Sequence, residues 1–220
     1  MNLSKSGQAA TVELDAVVET EAPIFGPALR LFILLSVITG IAYPLALTGL
    51  AQLLMPDKAN GSLVTRGDQV VGTELVGQAF SGENYFWSRP SATGPTAYNA
   101  AASSGSNLGP SNPALHSAVA KRVANLRAAN PAQVDASGAA LPVPVDLVTA
   151  SASGLDPHIS IAGANYQIAR VARSRGLSES QVQALVAQHS ESAQLGFLGE
   201  PRVHVLRLNL ALDELVSVNP

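Results

Sequence analysis

An unbroken apolar run near the N-terminus constrains this chain more than any other feature. The 26 residues from 31 to 56 include no Asp, Glu, Lys, Arg or His. A helix of about 20 apolar residues crosses the hydrocarbon core of a bilayer, so we predict a transmembrane helix over residues 28–56. A cleaved signal peptide fits less well, because its apolar run is about 7–15 residues long. A buried core helix is the remaining alternative.

Small residues and one proline lie within this span. Gly40 follows Ser36 at a spacing of four, which brings both onto one helix face, where a neighbouring helix could approach closely. The competing interpretation is that such residues are simply common in membrane helices. Pro44 removes one helical hydrogen bond, and the freed carbonyl needs a neighbouring helix, Thr39 or a local kink to compensate.

Composition excludes several classes of function. With 13 Lys and Arg against 16 Asp and Glu, the chain lacks the positive charge of a nucleic-acid binder. It contains no cysteine, which rules out disulfides, thiolate metal sites and thiol nucleophiles. The four histidines form no metal-binding motif, and neither a Gly-x-Ser-x-Gly elbow nor a phosphate-binding loop is present. We therefore predict no catalytic residue and no metal site.

Residues 57–220 predict one α+β domain, with mixed helices and strands. Gly67-Asp68 separates two short runs, 63–66 and 69–71, that fit a β-hairpin. Helix signals follow at three places: the Asn112-Pro113 cap, the run 161–175 before Gly176, and the capping box at Ser178. Arginines 170, 173 and 175 are attributed to the negative end of the second helix.

Two further segments predict the central sheet of this domain. Residues 203–212 alternate between apolar and polar side chains, with a slip at Val205-Leu206 that suggests a strand with a bulge. Residues 145–149 supply the second strand. The Ser/Gly/Asn/Pro-rich stretch 100–113 has two interpretations, a flexible linker and an ordered binding loop.

The segment 151–160 is the main candidate for ligand binding. Ser151, Ser153, Gly154 and Asp156 could form a nest of backbone N–H groups that holds an anion such as a nucleotide phosphate. The same residues are also typical of a turn that leads into a helix cap, and of the two interpretations the cap is favoured.

Several motifs occur in an order that resembles the C subunit of the Kdp-type high-affinity potassium-transporting ATPases. They cover most of the chain from the apolar run to Leu212, and chance similarity of this length is excluded. The motifs are residues 75–80 (LVGQAF), 86–91 (FWSRPS), 98–99 (YN), 106–110 (SNLGP), 153–160 (SGLDPHIS), 170–173 (RVAR) and 199–206 (GEPRVHVL). Two departures are His204, where the family pattern has Asn, and a leader longer than usual.

The resemblance implies a single-pass accessory subunit of a bacterial inner-membrane complex. Residues 1–27 would be a cytoplasmic tail and residues 57–220 an extracytoplasmic domain. The partners implied are a potassium-translocating subunit, an ATP-hydrolysing P-type subunit and membrane lipid, with Gly40, Gln78, Arg89 and Asn107 as expected partner contacts. Basic residues flanking the span lean weakly towards the opposite orientation, so the orientation rests on the resemblance.

Family accounts imply two roles for such a subunit. One is to clamp the assembly at the external face, and the other is to act as a catalytic chaperone that raises the affinity of the partner for ATP. The chain has no cofactor of its own in this reading, and ATP would be bound together with the partner subunit. The rival classes are a signal-anchored extracytoplasmic enzyme and a structural module unrelated to transport.

Overall fold

The computed structural model describes residues 24–218, and the chain divides into two compact units at the bond between Leu54 and Met55. The first unit is a helix of 30 residues over Phe25–Leu54, made of α1 (Phe25–Val37), a π-helical segment (Ile38–Ala42) and α2 (Tyr43–Leu54). It begins three residues before the predicted start at 28. At about 1.5 Å per residue its length of about 45 Å fits a single membrane span. Most of the predicted tail 1–27 lies outside the described residues.

The π-helical segment is the local distortion that accommodates Pro44. Proline has no N–H, so the carbonyl of Gly40 loses its usual donor. The Tyr43 N–H donates to the carbonyl of Ile38, five residues back, which widens the helix immediately before the proline. The hydroxyl of Thr39 donates to the Leu35 carbonyl at 2.7 Å rather than to Gly40. Of the three predicted solutions, the structure shows the local change in helix geometry.

The second unit begins with a short helix and the predicted hairpin. Helix α3 (Pro56–Ala59) precedes β1 (Leu63–Arg66) and β2 (Gln69–Thr73), which pair in antiparallel fashion. Gly67 adopts a φ of 59° in the connecting turn, a conformation that glycine reaches without steric cost. The hairpin prediction is confirmed.

Three capped helices form where the sequence predicts them: α4 (Pro113–Ala129), α5 (Ile161–Arg175) and α6 (Glu179–Gln188). The Asn112 side chain accepts a bond from the Ala114 N–H, and Gly176 ends α5 in the left-handed conformation. Ser178 and Gln181 form a complete capping box. Local sequence signals place these boundaries to within a residue.

The predicted central sheet is wrong. The observed sheet has three short antiparallel strands in the order β3 (His158–Ser160), β5 (Arg202–His204) and β4 (Ser190–Glu191). The strand predicted over 203–212 stops at His204, and helix α7 (Val205–Val218) follows. The slip at Val205-Leu206 marks a change to helical period, which puts Val205, Leu208 and Leu212 on the buried face.

The second predicted strand, 145–149, is instead a 3₁₀ turn over Val145–Leu147. Pro144 precedes the turn and the Thr149 hydroxyl bonds back to the Val145 carbonyl, so the segment curls instead of extending. Leu147 and Val148 are nevertheless buried in the core. The segment contributes apolar side chains to the core, but it forms a turn and not the predicted strand.

Two buried amides hold the aromatic segment around Phe86 against the helices. The Asn209 side chain of α7 accepts from the Phe86 N–H at 2.8 Å and donates to the Phe86 carbonyl at 3.0 Å. The Gln167 side chain of α5 makes the same pair of bonds to Trp87, at 2.8 and 3.2 Å. The backbone of an extended loop is thus paired as in a sheet, but by side chains. This clamp fixes the position of Arg89, two residues further on.

Candidate functional site

An ion pair joins two of the predicted site residues, Arg89 and Asp156. Arg89 Nη1 is 2.9 Å from Asp156 Oδ2, and the two side chains are 24% and 27% exposed. The Tyr98 hydroxyl donates to the carbonyl of Arg89, and burial raises the pKa of that tyrosine. The pair joins two segments that are 67 residues apart in the sequence.

The segment 151–157 is a junction to which four other parts of the domain are bonded through its carbonyls. The Ser153 carbonyl accepts from the Ser104 N–H at 3.0 Å and the Gly154 carbonyl from the Ser91 hydroxyl at 2.7 Å. The two remaining bonds join the Gly77 N–H to the Leu155 carbonyl and the Val205 N–H to the Pro157 carbonyl. We call this segment the junction.

Three N–H groups of residues 154–158 are used inside the segment. The Gly154 N–H donates to the Ser151 carbonyl, and the Leu155 N–H donates to the Ser153 hydroxyl. The His158 N–H donates to the Asp156 carboxylate at 3.0 Å. This geometry favours the turn-and-cap interpretation over the phosphate nest.

Gly154 is required where the junction meets its neighbours. Its φ of 68° is left-handed, and a Cβ there would lie 2.5 Å from the Ser104 carbonyl oxygen and 2.7 Å from Thr93 Cγ2. Any side chain at this position would push apart two of the joined segments.

A polar cavity of about 280 Å³ opens beside the ion pair. Its lining includes Arg89, Asp146, Asp156, Glu200 and Arg202, so carboxylates outnumber cations. Asp146 accepts from both the N–H and the hydroxyl of Ser160, the residue that caps α5. A phosphate approaching the N-terminus of α5 would therefore meet a carboxylate already in place.

Asp156 stays ionised in this setting. Burial acts to raise the pKa of its carboxyl, but the hydrogen bonds from the His158 ring and backbone and the charge of Arg89 outweigh it and lower the pKa. The carboxylate is therefore available to hold Arg89 over the ordinary pH range.

The side chain of His204 is engaged inside the domain. It is 4% exposed, its Nε2 lies 3.1 Å from the Glu74 carbonyl, and its Nδ1 accepts from the Arg207 N–H. The ring packs edge-on against His158 with centroids 5.2 Å apart. Burial, the neighbouring His158 and Arg202 lower the pKa of His204 to about 4, against a smaller opposing effect of Glu191.

The other expected contact residues lie apart from the ion pair. Gln78 donates through its amide to the Val71 carbonyl of β2 at 2.7 Å, so this bond braces the hairpin. Asn107 is exposed and has a φ of 53°. Gly40 lies in the first unit, where its Cβ position has no heavy atom within 4 Å. The structure therefore brings Arg89 to the junction but leaves the other three elsewhere.

The stretch 100–113 is bonded to the domain at its first half. The Ser103 hydroxyl and the Ser104 N–H both donate to the Ser153 carbonyl, and Gly105 packs against Ala152. It runs from the aromatic segment into α4 within one compact unit. The ordered-loop interpretation fits these contacts better than a linker does.

Three buried polar residues escaped sequence reasoning: Gln167, Arg170 and Asn209. Arg170 was attributed to the end of α5, yet it is 1% exposed and donates to the side chains of Asn130 and Gln167. Its guanidinium also lies 4.3 Å from the centre of the Trp87 ring. The sequence signal for the burial of Arg170 is the amphipathic period of α5, which puts this residue beside the inward-facing Val171.

Over residues 24–218, no group of three or more His, Cys, Asp or Glu side chains is placed to hold a metal ion. Arg89, Asp156 and Arg202 line the solvent-open cavity and form a charged surface that a partner could contact. We call these three residues the charged edge.

Comparison with known proteins identifies similar chains over almost the full length. The family model described as KdpC, the K+-transporting ATPase c chain, matches residues 25–214. The potassium-transporting ATPase KdpC subunit of Polaromonas naphthalenivorans is 62% identical, covering 89% of this chain and 97% of the relative. The KdpC subunits of Herpetosiphon aurantiacus and Methylococcus capsulatus are 56% and 59% identical, over 89% and 87% of this chain and 98% and 97% of the relatives.

Proposed function

Because the chain belongs to the KdpC family of K+-transporting ATPase c chains, we propose that it stabilises the assembly of a potassium-translocating subunit with an ATP-hydrolysing subunit. Its role in potassium transport is accessory. The match of the family model over residues 25–214 is the observation that supports this function most directly, since it includes both the apolar helix and the folded domain.

The helix over Phe25–Leu54 would anchor the subunit and contact a neighbouring membrane helix. A single helix whose described residues 31–54 include no Asp, Glu, Lys, Arg or His offers no path for ions, so transport would occur in the partner. Gly40 supports a helix contact because, among residues 24–218, no heavy atom lies within 4 Å of its Cβ position.

The folded domain would dock through the edge that contains Arg89. The guanidinium of Arg89 suits a carboxylate or paired carbonyls on a partner. Asp156 and the junction hold this side chain in place, which limits the entropy lost on docking. Gln78 and Asn107 belong to the same proposal as further contacts.

In the proposed orientation, the N-terminal tail is in the cytoplasm and the domain is outside the bacterial inner membrane. The chain has no cysteine, so single cysteines report on topology without background labelling. We expect Ser106→Cys, in an exposed loop, to react with a membrane-impermeant thiol reagent in intact spheroplasts, and Ser4→Cys to react only after lysis. The reverse labelling would reverse the orientation.

Co-purification with both partner subunits in mild detergent tests the assembly role. We expect Arg89→Ala to lower recovery of the partners about ten-fold, and Asp156→Asn to lower it less, because the guanidinium remains. Arg66→Ala is the matched control, since Arg66 also pairs with an aspartate, Asp213, at 3.3 Å. If Arg89 only braces its own loop, melting temperature and recovery will fall together.

The membrane contact is tested in the same assay. Gly40→Leu adds bulk where a helix is expected to approach, so recovery should fall more than for Leu35→Ala. Equal recovery of these two variants would remove Gly40 from the interface.

The second role, raising the affinity of the partner for ATP, makes a different prediction. If Ser151, Ser153, Gly154 and Asp156 hold ATP, calorimetry of the full chain in detergent should show micromolar binding that Asp156→Ala abolishes. The internal bonds of these residues favour the docking role. If that role is correct, we expect the chain to bind ATP with an affinity no better than about millimolar. Micromolar binding of ATP by the folded wild-type chain would contradict the docking role and support nucleotide chaperoning.

A further inference from the structure

A turn between β4 and β5 displays three large apolar side chains. Leu195 is 82% exposed, Phe197 75% and Leu198 50%. These three lie within four consecutive residues of the extramembrane unit, and soluble surfaces seldom concentrate such side chains at one point. We call residues 193–199 the apolar tip.

The backbone of the apolar tip is ordered by its own hydrogen bonds. Gln194 and Leu198 exchange both N–H to carbonyl bonds at 2.8 Å, and the Gly196 N–H donates to the Ala193 carbonyl. Leu195 has a φ of 53°, an unfavourable conformation for a residue with a side chain. The turn therefore presents Leu195 and Phe197 in a fixed arrangement, although burial within the domain does not stabilise them.

The charges around the tip distinguish between a lipid surface and a protein partner. Residues 192–199 carry no charge, and the turn is bordered by Glu191 and Glu200. Arg202 pairs with Glu191 at 3.1 Å, which leaves Glu200 as the excess charge at the rim. Segments that insert into bilayers use Lys and Arg to attract anionic headgroups and Trp or Tyr at the interface, and the tip has none of these. The composition fits an apolar protein pocket with a basic rim.

We propose that the apolar tip inserts into such a pocket on a partner subunit and anchors the docked domain. The proposal rests on the assembly function above and names a second contact, distinct from Arg89. Phe in particular is enriched at the desolvated centres of interfaces, where a few such side chains supply most of the binding free energy. The tip needs no rearrangement to dock, because its turn is already formed.

The test uses the full chain co-expressed with both partner subunits. We expect Phe197→Ser and Leu195→Ser each to reduce recovery of the partners about ten-fold, while Phe197→Leu keeps most of it. Val145→Ser is the matched control, because Val145 is 71% exposed elsewhere on the domain. The melting temperature should be the same for all four variants, since none of these side chains is buried.

An environment-sensitive dye on Phe197→Cys identifies the occupant. In the assembled complex its emission should shift to the blue, while the same dye on Val145→Cys should not change. A blue shift in lipid nanodiscs without the partners would assign the tip to the bilayer and overturn the proposal, as would a dye that stays exposed in the complex. Failure of the unmodified chain to recover any partner would instead refute the assembly function itself.

Discussion

The buried imidazole of His204 should make the domain sensitive to mild acid. It is 4% exposed, and both ring nitrogens are engaged while the ring is neutral. Protonation would place a donor on Nδ1 against the Arg207 N–H, beside His158 and Arg202. His204→Asn keeps a polar side chain but removes the titration, so we compare that variant with the unmodified chain.

The lowered pKa of His204 determines the sign and size of the change in stability with pH. The folded-state pKa of His204 is about 4 and the ordinary pKa of histidine is 6.5, so between these values the unfolded chain binds more protons. Stability attributable to His204 is therefore complete above the unfolded pKa and is lost as the pH falls through this window. The loss is about 1.4 kcal/mol at about pH 5.5 and about 2.5 kcal/mol at about pH 4.5.

Urea unfolding of the full chain in mild detergent measures this loss. Trp87 is the only tryptophan and packs against the core, so its fluorescence reports on the folded domain alone. Between about pH 7.5 and 4.5 the unmodified chain should lose about 2.5 kcal/mol more than His204→Asn. Carboxylate titration is common to both chains and cancels in the comparison. His116→Asn, on the exposed face of α4, should behave like the unmodified chain. Equal pH dependence for all three chains would refute the reasoning.

Two further substitutions test the packing that positions the site, with the same fluorescence measurement. Arg170→Lys should lower the free energy of unfolding by about 3 kcal/mol, because an ammonium group cannot replace the several bonds and the ring contact of the guanidinium. A loss below about 1 kcal/mol would show that these bonds contribute little. Gly154→Ala should cost more than Gly138→Ala, since both have positive φ but only Gly154 meets atoms within 3 Å of its Cβ position. Equal costs would attribute the whole effect to backbone conformation.

Elements defined by neighbours in the sequence could be predicted. The caps of α4, α5 and α6 depend on residues within four positions of each helix end, and the hairpin depends on Gly67-Asp68. The end of β5 could not be placed in this way. Alternation over Val203 to Val205 fits a strand, and the change to a helix at Val205 is decided by burial of Leu208 and Leu212 against the core.

The buried amide contacts could not be predicted either, because their partners are even more distant in the sequence. Asn209 bonds to Phe86 across 123 positions and Gln167 to Trp87 across 80, so no local pattern announces either bond. The family resemblance selected Arg89, and the residue types of segment 151–160 selected Asp156, but neither predicted the ion pair that these residues form.

Long-range pairing also determines which tests can separate folding from docking. Arg89 and Asp156 lie where four parts of the domain meet at the junction, so only the melting temperature separates a loss of docking from a loss of folding in their variants. Leu195 and Phe197 are more than 70% exposed, and their replacement leaves the buried core unchanged. A loss of assembly at the apolar tip without a change in melting temperature would therefore be direct evidence of docking. The Arg89 variants then show whether the charged edge contributes a second contact, because their stability can be compared with that of the tip variants.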